Sequence, residues 1–346
     1  MVSMKIDDVA EALGVSKGTV SRAITGHGRI AAATRQRILD YMDEHDFRPN
    51  AAAQNLSRRQ TMTLAFTIPR NRELIHYPFF LQSMTGVISE AMAHSYDILA
   101  VDNTADALRR VTRRRKVDGV IVSRNPADPA VMPQLIDSGF PFVVIGPTAV
   151  DGVTHIDHDH VAACREFTKT ILRAWGGHPG LLVGPRSDLT SRGRAEGFRQ
   201  GTAGASGSST APIVWGAVDE TTVLDRFPAL LEAGADVVFC GDDMICGYLE
   251  LALRSGRLGR SARSIRVASF HASPTLTALN PRVPGIEFDS QAVGRLACST
   301  LLAKMAGNPV TDVTLGFDIF VGDRDGLVNT FGAPSDPTDG HDHWKG

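Results

Sequence analysis

Apolar positions fall at helical spacing near the start of the chain and at strand spacing further on. Ile6, Val9, Ala10 and Leu13 sit at i, i+3, i+4 and i+7, one face of a helix. Gly14 follows and can supply the positive φ that ends a helix. Ser16 is a natural N-cap for a second helix, whose apolar side is Val20, Ala23 and Ile24 and whose other faces carry Lys17, Gly18, Ser21 and Arg22. Gly26 and Gly28 end it. A third helix is predicted over 32–45, with Ile38, Leu39 and Met42 turned inward. Two short helices across a tight Gly-containing turn, braced by a third, describe a helix-turn-helix.

Phe47-Arg48-Pro49-Asn50 breaks the helical pattern. Ala51–Leu56 then favours a helix, but one so short that it needs a packing partner. From Thr63 the texture changes to short β-rich runs separated by helical segments. The first series is Leu64–Ile68, Ile98–Val101, Gly119–Val122 and Phe142–Ile145; the second is Leu181–Val183, Ile213–Trp215, Val237–Cys240 and Val267–Phe270. Such alternation predicts parallel sheets covered by helices, here two doubly wound subdomains that share the late strands Ile286–Phe288 and Leu315–Phe320. A ligand is expected in the cleft between them, at the carboxyl ends of the strands. The predicted division is a headpiece at 1–48, a hinge at 49–61 and a body at 62–330. Subdomain one takes 62–160 plus 290–320, subdomain two 161–289 plus 321–330, and 331–346 is a disordered tail.

Composition changes this picture little. Of 346 residues, 43% are hydrophobic and 21% charged, ordinary for a globular chain, so disorder and fibrous repeats are excluded. No uncharged apolar stretch approaches the ~18 residues of a membrane span, and Asp7 and Asp8 fall where a signal peptide needs apolar residues. A cytoplasmic protein without membrane association is expected. Cys164, Cys240, Cys246 and Cys298 form no CxxC pair, so reduced, buried thiols are expected. The net charge of -2 hides a local imbalance, because five basic residues and no acid lie between Ala12 and Leu39. That stretch suits a polyanion.

The run Ile6-Asp7-Asp8-Val9-Ala10-Glu11-Ala12-Leu13-Gly14-Val15-Ser16, followed by Thr19-Val20-Ser21-Arg22, resembles the headpiece of the lac-repressor-type (LacI/GalR) transcription regulators. Thr34-Arg35, Arg48-Pro49-Asn50, Ala53 and Leu56 continue the match in order and spacing. Further marks in the body are Pro78-Phe79-Phe80, Val117-Asp118-Gly119-Val120-Ile121, Arg194 with Gly197-Phe198, Asp242 with Met244 and Gly247, and Gly294 with Ala297. The resemblance implies an all-α helix-turn-helix headpiece on an α/β body like a periplasmic sugar-binding protein. It implies a dimeric, non-enzymatic repressor that binds double-stranded DNA at a pseudo-palindromic operator under control of a small effector. No cofactor or metal is expected.

By that resemblance Lys17, Gly18 and Arg22 enter the major groove, Arg22 being suited to guanine O6/N7. Ser16, Thr19, Ser21, Thr25 and Thr34 carry short hydroxyls suited to phosphates. Asn50, Ala53 and Leu56 match hinge residues that lie against the minor groove, with Leu56 as the wedge between base steps. Arg194 and Asp242 fall on positions that clamp a polar ligand, Phe79 on a ligand-facing aromatic, and Asp188 and Thr190 in the loop before Arg194. These lean towards a sugar effector; a sugar phosphate, a nucleobase, or a cytoplasmic sugar-binding protein stay open. Two departures lie near the cleft floor: Ser269-Phe270-His271 stands where the family usually has Gly-Phe-Asp, and Arg282-Val283-Pro284-Gly285 where it usually has Pro-Leu-Thr-Thr.

Two other signals stand apart. His155, His158 and His160 with Asp157 and Asp159 could hold a metal, although a strand end leading into a helix explains them better. Arg109, Arg110, Arg113, Arg114, Arg115 and Lys116 form a basic cluster, read as a solvated helix face or as a second DNA patch.

Overall fold

The computed structural model describes residues 4–25, 28–47, 60–69, 78–124, 128–203, 211–259, 262, 264–279, 283–321 and 327–331. The chain divides after Met62 into two compact units. In the first, α1 (Ile6–Leu13), α2 (Lys17–Thr25) and α3 (Ala32–Glu44) are the three predicted helices. Gly14 stops α1 at φ 64°, the left-handed conformation that a side chain would resist. Val9, Val20, Ala23 and Ile38 are fully buried, with Met42 and Phe47 beside them, while Leu39 is only half-buried. Two arginines of α3 fasten the bundle: Arg37 Nη2 donates to the Leu13 carbonyl at 3.0 Å and Arg35 Nε to that of Ala23 at 3.2 Å. Both are carbonyls in last turns, where a cation also meets the negative end of the helix dipole.

The second unit begins with β1 (Thr63–Ile68), α4 (Pro78–Ala93), β2 (Asp97–Asp102), α5 (Ala105–Arg113), β3 (Gly119–Val122), α6 (Val131–Asp137), β4 (Phe142–Ile145) and β5 (His155–His158). The chain then crosses into α7 (His160–Trp175), β6 (Pro179–Val183), α8 (Leu189–Thr202), β7 (Ile213–Trp215), α9 (Glu220–Arg226) and α10 (Pro228–Glu232). Next come β8 (Val237–Cys240), α11 (Asp243–Arg254), β9 (Arg266–Ser269), α12 (Pro274–Leu279) and β10 (Gly285–Glu287). It returns through α13 (Ser290–Met305) and β11 (Val313–Leu315), and ends in β12 (Phe317–Phe320) and β13 (Leu327–Phe331).

Sheet one is parallel throughout, in the order β11-β5-β4-β3-β1-β2. Sheet two runs β13-β12-β10-β9-β8-β6-β7, and only its β10-β12-β13 edge is antiparallel. The expectation of a single shared strand over 315–320 is corrected here. Val313–Leu315 pairs with β5 of sheet one, whereas Phe317–Phe320 pairs with β10 of sheet two. Subdomain one therefore ends at Gly316 and not at 320; a one-residue break sends the chain into the other sheet. The body also gains β13, which reaches Phe331; residues 332–346 of the expected tail lie outside the described residues, as do headpiece position 48 and hinge positions 49–59.

Each sheet packs on helices that approach closely. A Cβ on Gly294 of α13 would sit 1.9 Å from the Ser83 carbonyl oxygen of α4, and one on Gly86 2.0 Å from that of Gln291. Backbone blocks both positions, so no side chain can rotate away. Gly294→Ala should lower the stability of the body by about 2 kcal/mol or more, the cost of overpacking a closed contact. A urea midpoint equal to that of the parent would contradict this packing.

Candidate functional site

At the start of α2 three residues spaced one turn apart are joined. Ser16 Oγ accepts from the Thr19 N–H at 3.1 Å and meets Thr19 Oγ1 at 2.8 Å; Arg22 Nη2 donates to Thr19 Oγ1 at 3.2 Å. Ser16 is thus the predicted N-cap, and the same face presents the guanidinium. Arg22 is exposed, and a Cβ on Gly28 would come within 2.8 Å of its Cδ, so the bare backbone there leaves the lane for its stem. Gly18 is exposed, and a Cβ there would make ordinary contact with Ser16 Oγ at 3.7 Å and Arg22 Nη1 at 3.9 Å. Lys17 pairs with Asp7 at 2.9 Å, both side chains largely exposed. Such a pair is worth under about 1 kcal/mol, so a phosphate can displace the carboxylate. Ser21 is exposed and Thr34 half-buried. Thr25 closes α2, and Asn50, Ala53 and Leu56 lie outside the described residues.

In the body, the predicted effector residues gather at the carboxyl ends of strands. Arg194 in α8 donates from Nη1 to the Gly241 carbonyl at 2.6 Å, and its buried Nε has no hydrogen-bond partner. Asp242 caps α11, accepting the Ile245 N–H at 2.9 Å. Burial and the adjacent Asp243 push the Asp242 carboxyl up, against the pull of Arg194. Asp188 caps α8 and is committed to neighbours already: it accepts from Arg124 Nη2 at 2.9 Å, from the Ser191 N–H at 2.9 Å and from Ser191 Oγ at 2.7 Å. Burial would raise it, but the Arg124 charge and these bonds hold Asp188 below the ordinary carboxylate value. Arg124 follows β3 of sheet one and Asp188 follows β6 of sheet two, so this ion pair spans the cleft. Thr190 is half-buried in the first turn of α8.

Phe79 faces the cleft from the first turn of α4, its ring edge-on to His271 at 6.2 Å. His271, the departure from Gly-Phe-Asp, is compensated locally. Its Nδ1 lies 3.1 Å from Asp243 Oδ1, with both side chains almost wholly buried. Burial acts to raise Asp243, yet the His271 ring and the Ser273 hydroxyl bring it below its ordinary value.

Beneath the cleft the three chain crossings meet. His158 ends β5, Phe288 follows β10 and Gly316 separates β11 from β12. His158 Nδ1 bonds the Gly316 carbonyl at 2.9 Å, and its ring packs on Phe288 at 4.5 Å. The His271 and His160 rings pack on the same Phe288, at 5.9 and 5.4 Å. The other His/Asp positions also have separate duties: His160 Nε2 meets Asp157 at 3.3 Å, Asp159 caps α7 and His155 meets Asp312 at 3.1 Å. Among the described residues no group of three or more His, Cys, Asp or Glu side chains could hold a metal. All four cysteines are free and buried.

Sequence reasoning does not single out Arg124, Asp243, Phe288 or the role of His271. The broken Gly-Phe-Asp signature and the doubled acid at Asp242-Asp243 are the available signals for Asp243 and His271. Nothing local marks Arg124, whose partner is 64 residues away.

Comparison with known proteins places both regions. Residues 5–50 match the bacterial regulatory proteins of the lacI family, and residues 62–315 match the periplasmic binding proteins and sugar binding domain of that family. The chain belongs to the LacI family. Relatives include the HTH-type transcriptional regulator CelR of Thermobifida fusca, 26% identical over 90% of this chain and 94% of CelR. MalR of Staphylococcus xylosus is 29% identical over 50% of this chain and 52% of its own length. A CelR–cellobiose complex shares the fold at a TM-score of 0.67 and 21% identity, covering 92% of this chain and 99% of that one. A lac repressor dimer bound to operator and the anti-inducer ONPF does so at 0.75 and 20%, covering 92% and 97%. The relatives of this LacI-family chain are transcriptional regulators, and no helix among the described residues is long and apolar enough to cross a membrane.

The knot under the cleft makes a pH prediction. Burial, aided by the nearby His160, pushes His158 down to about 4. Between its ordinary value of ~6.5 and that value the unfolded chain binds the proton and the native chain does not, so stability rises with pH across this window. Acidification from neutrality should remove roughly 3 kcal/mol by way of this residue. His158→Phe should flatten the urea-midpoint profile between those limits; an unchanged slope would show that His158 is not the group responsible.

Proposed function

We propose that the chain is a dimeric, sequence-specific repressor whose grip on a pseudo-palindromic operator is set by a neutral sugar bound in the body cleft, with no further cofactor. The observation that carries this reading is the union on one chain of a LacI-type helix-turn-helix and a LacI-type sugar-binding body. The geometry of each part supports it. On α2, the Ser16–Thr19–Arg22 face offers two short hydroxyls and an oriented guanidinium, the set needed for phosphate contacts around one bidentate guanine contact. In the cleft, Arg194 holds an unpartnered N–H, Asp242 keeps an oxygen beyond its cap, and Phe79 offers an aromatic face. Donor, acceptor and apolar platform together suit a polyhydroxylated ring. The CelR–cellobiose complex makes neutral disaccharides the first probes. A two-fold dimer imposes two-fold symmetry on its site, and a Leu56 from each subunit would wedge the central step.

Selection of duplexes from a randomised pool by the full chain should enrich a palindrome with a central pyrimidine–purine step. Arg22→Gln should relax selection at one base pair of each half-site, a loss of about 1–3 kcal/mol there. Enrichment of the same sequence by the variant would remove Arg22 from base reading. Leu56→Ala should weaken operator binding without altering sugar binding. In calorimetric titrations with cellobiose and maltose, Arg194→Ala should abolish any binding the parent shows; retained binding would place the sugar elsewhere.

A further inference from the structure

The basic cluster before β3 has no role in either site. Six of the eight residues from Arg109 to Lys116 are basic, and all six are exposed. Arg109 is partnered, by Asp106 at 3.4 Å and Gln134 at 3.2 Å. Arg110, Arg113, Arg114, Arg115 and Lys116 have no side-chain hydrogen bond or ion pair among the described residues. The segment is nevertheless ordered. Leu108 and Val111 anchor α5, and the chain turns through Arg115 at φ 47°, with the Lys116 N–H on the Val111 carbonyl at 2.9 Å.

Helix ends accept a cation or two against the dipole, each worth under about 1 kcal/mol. Five cations in seven residues, without a side-chain partner among the described residues, exceed that. Like charges at i,i+4, as at Arg109/Arg113 and Arg110/Arg114, destabilise a helix. A fixed run in which basic side chains outnumber the acids around it, Asp97, Asp106 and Asp118, is the footprint of a polyanion.

Its position says which one. The Asp118 N–H donates to the Thr63 carbonyl at 2.8 Å, and Leu64 of β1 pairs with Gly119 of β3. The basic turn therefore lies beside the residue at which the chain enters the body from the linker and headpiece. This is the amino-terminal end of the strands, the end away from the effector cleft. It is the end at which the chain joins the body to the first unit.

We propose that the turn Arg110–Lys116 is a second, sequence-independent DNA contact, which holds phosphates of the duplex flanking the headpiece site. This rests on the reading that the headpiece binds DNA. The test is fluorescence anisotropy of the full chain on a random-sequence duplex long enough to run past the headpieces, titrated with salt. The parent, the variant R110Q/R113Q/R114Q/K116Q and the headpiece variant R22Q are compared, with matched thermal unfolding as the check on folding. The quadruple variant should bind about tenfold more weakly at moderate salt, and its slope of log K against log salt should shrink by about 0.9 for each phosphate it no longer neutralises. Its preference for the selected palindrome should persist, whereas R22Q should lose preference. Parent-like affinity and slope in the quadruple variant, with R22Q impaired, would overturn this inference and leave the headpiece reading intact; the patch would then serve another partner, such as an acidic protein surface. No duplex binding by the parent would overturn both.

Discussion

A buried imidazole, that of His158, lies where the two subdomains of the body are joined. The chain crosses between the subdomains three times, and His158 touches all three crossings: its own, that of Gly316 through a hydrogen bond, and that of Phe288 through ring packing. Three independent strands would otherwise give the subdomains a loose tether. His158 gathers the crossings at one point, with the Arg124–Asp188 ion pair and the Phe79–His271 contact as further links between the subdomains. The bond needs His158 to donate from Nδ1 while remaining neutral in an apolar setting, and burial enforces that charge state. Phe288 then extends the contact upward, because its ring also meets His271, and the edge of His271 meets Phe79 at the cleft. A packed line of four rings thus runs from the ligand side of one subdomain to the hinge.

The cleft differs from an open sugar trap in how its charges are partnered. Arg124 and Asp188 already bridge it, and Asp243 and His271 are paired beneath it. A ligand changes the balance between open and closed bodies only by its differential affinity for the two. A ligand entering the cleft would meet the Arg124–Asp188 ion pair that already joins the two sheets. The same economy explains the broken Gly-Phe-Asp signature. With His271 in the aspartate position, the carboxylate reappears one element away as Asp243, so the acid is kept but drawn into the floor. Removing His271 would leave the buried Asp243 carboxylate without that partner, the costly half of such a pair.

The sequence is legible where periodicity and capping chemistry act locally. Val9, Val20 and Ile38 mark the headpiece core, Gly14 and Ser16 its turn, and Gly119–Val122, Phe142–Ile145 and Val237–Cys240 are strands because continuous apolar runs suit strands buried on both faces. The limits are non-local. Leu315–Phe320 reads as one β-rich run, yet it serves two sheets on either side of Gly316, a decision made by pairing partners far away in the chain. Asp188 illustrates the same limit in the site. Its position before Arg194 is readable, but its engagement by Arg124 depends on how the two sheets face each other. In sequence His158 is one member of a His/Asp run; in the fold that run divides into a hinge bond, a cap and two ion pairs.

In the proposed sugar-controlled repressor the DNA-reading face and the cleft are two coupled sites on one chain, and linkage makes coupling reciprocal. The direct measurement is calorimetric titration of the cleft sugar into the full-length protein, free and saturated with its selected operator duplex, beside titration of the duplex into protein with and without the sugar. The account predicts that operator changes the sugar affinity severalfold and that sugar changes the operator affinity by the same factor. Affinities for each ligand that are indifferent to the presence of the other would contradict it.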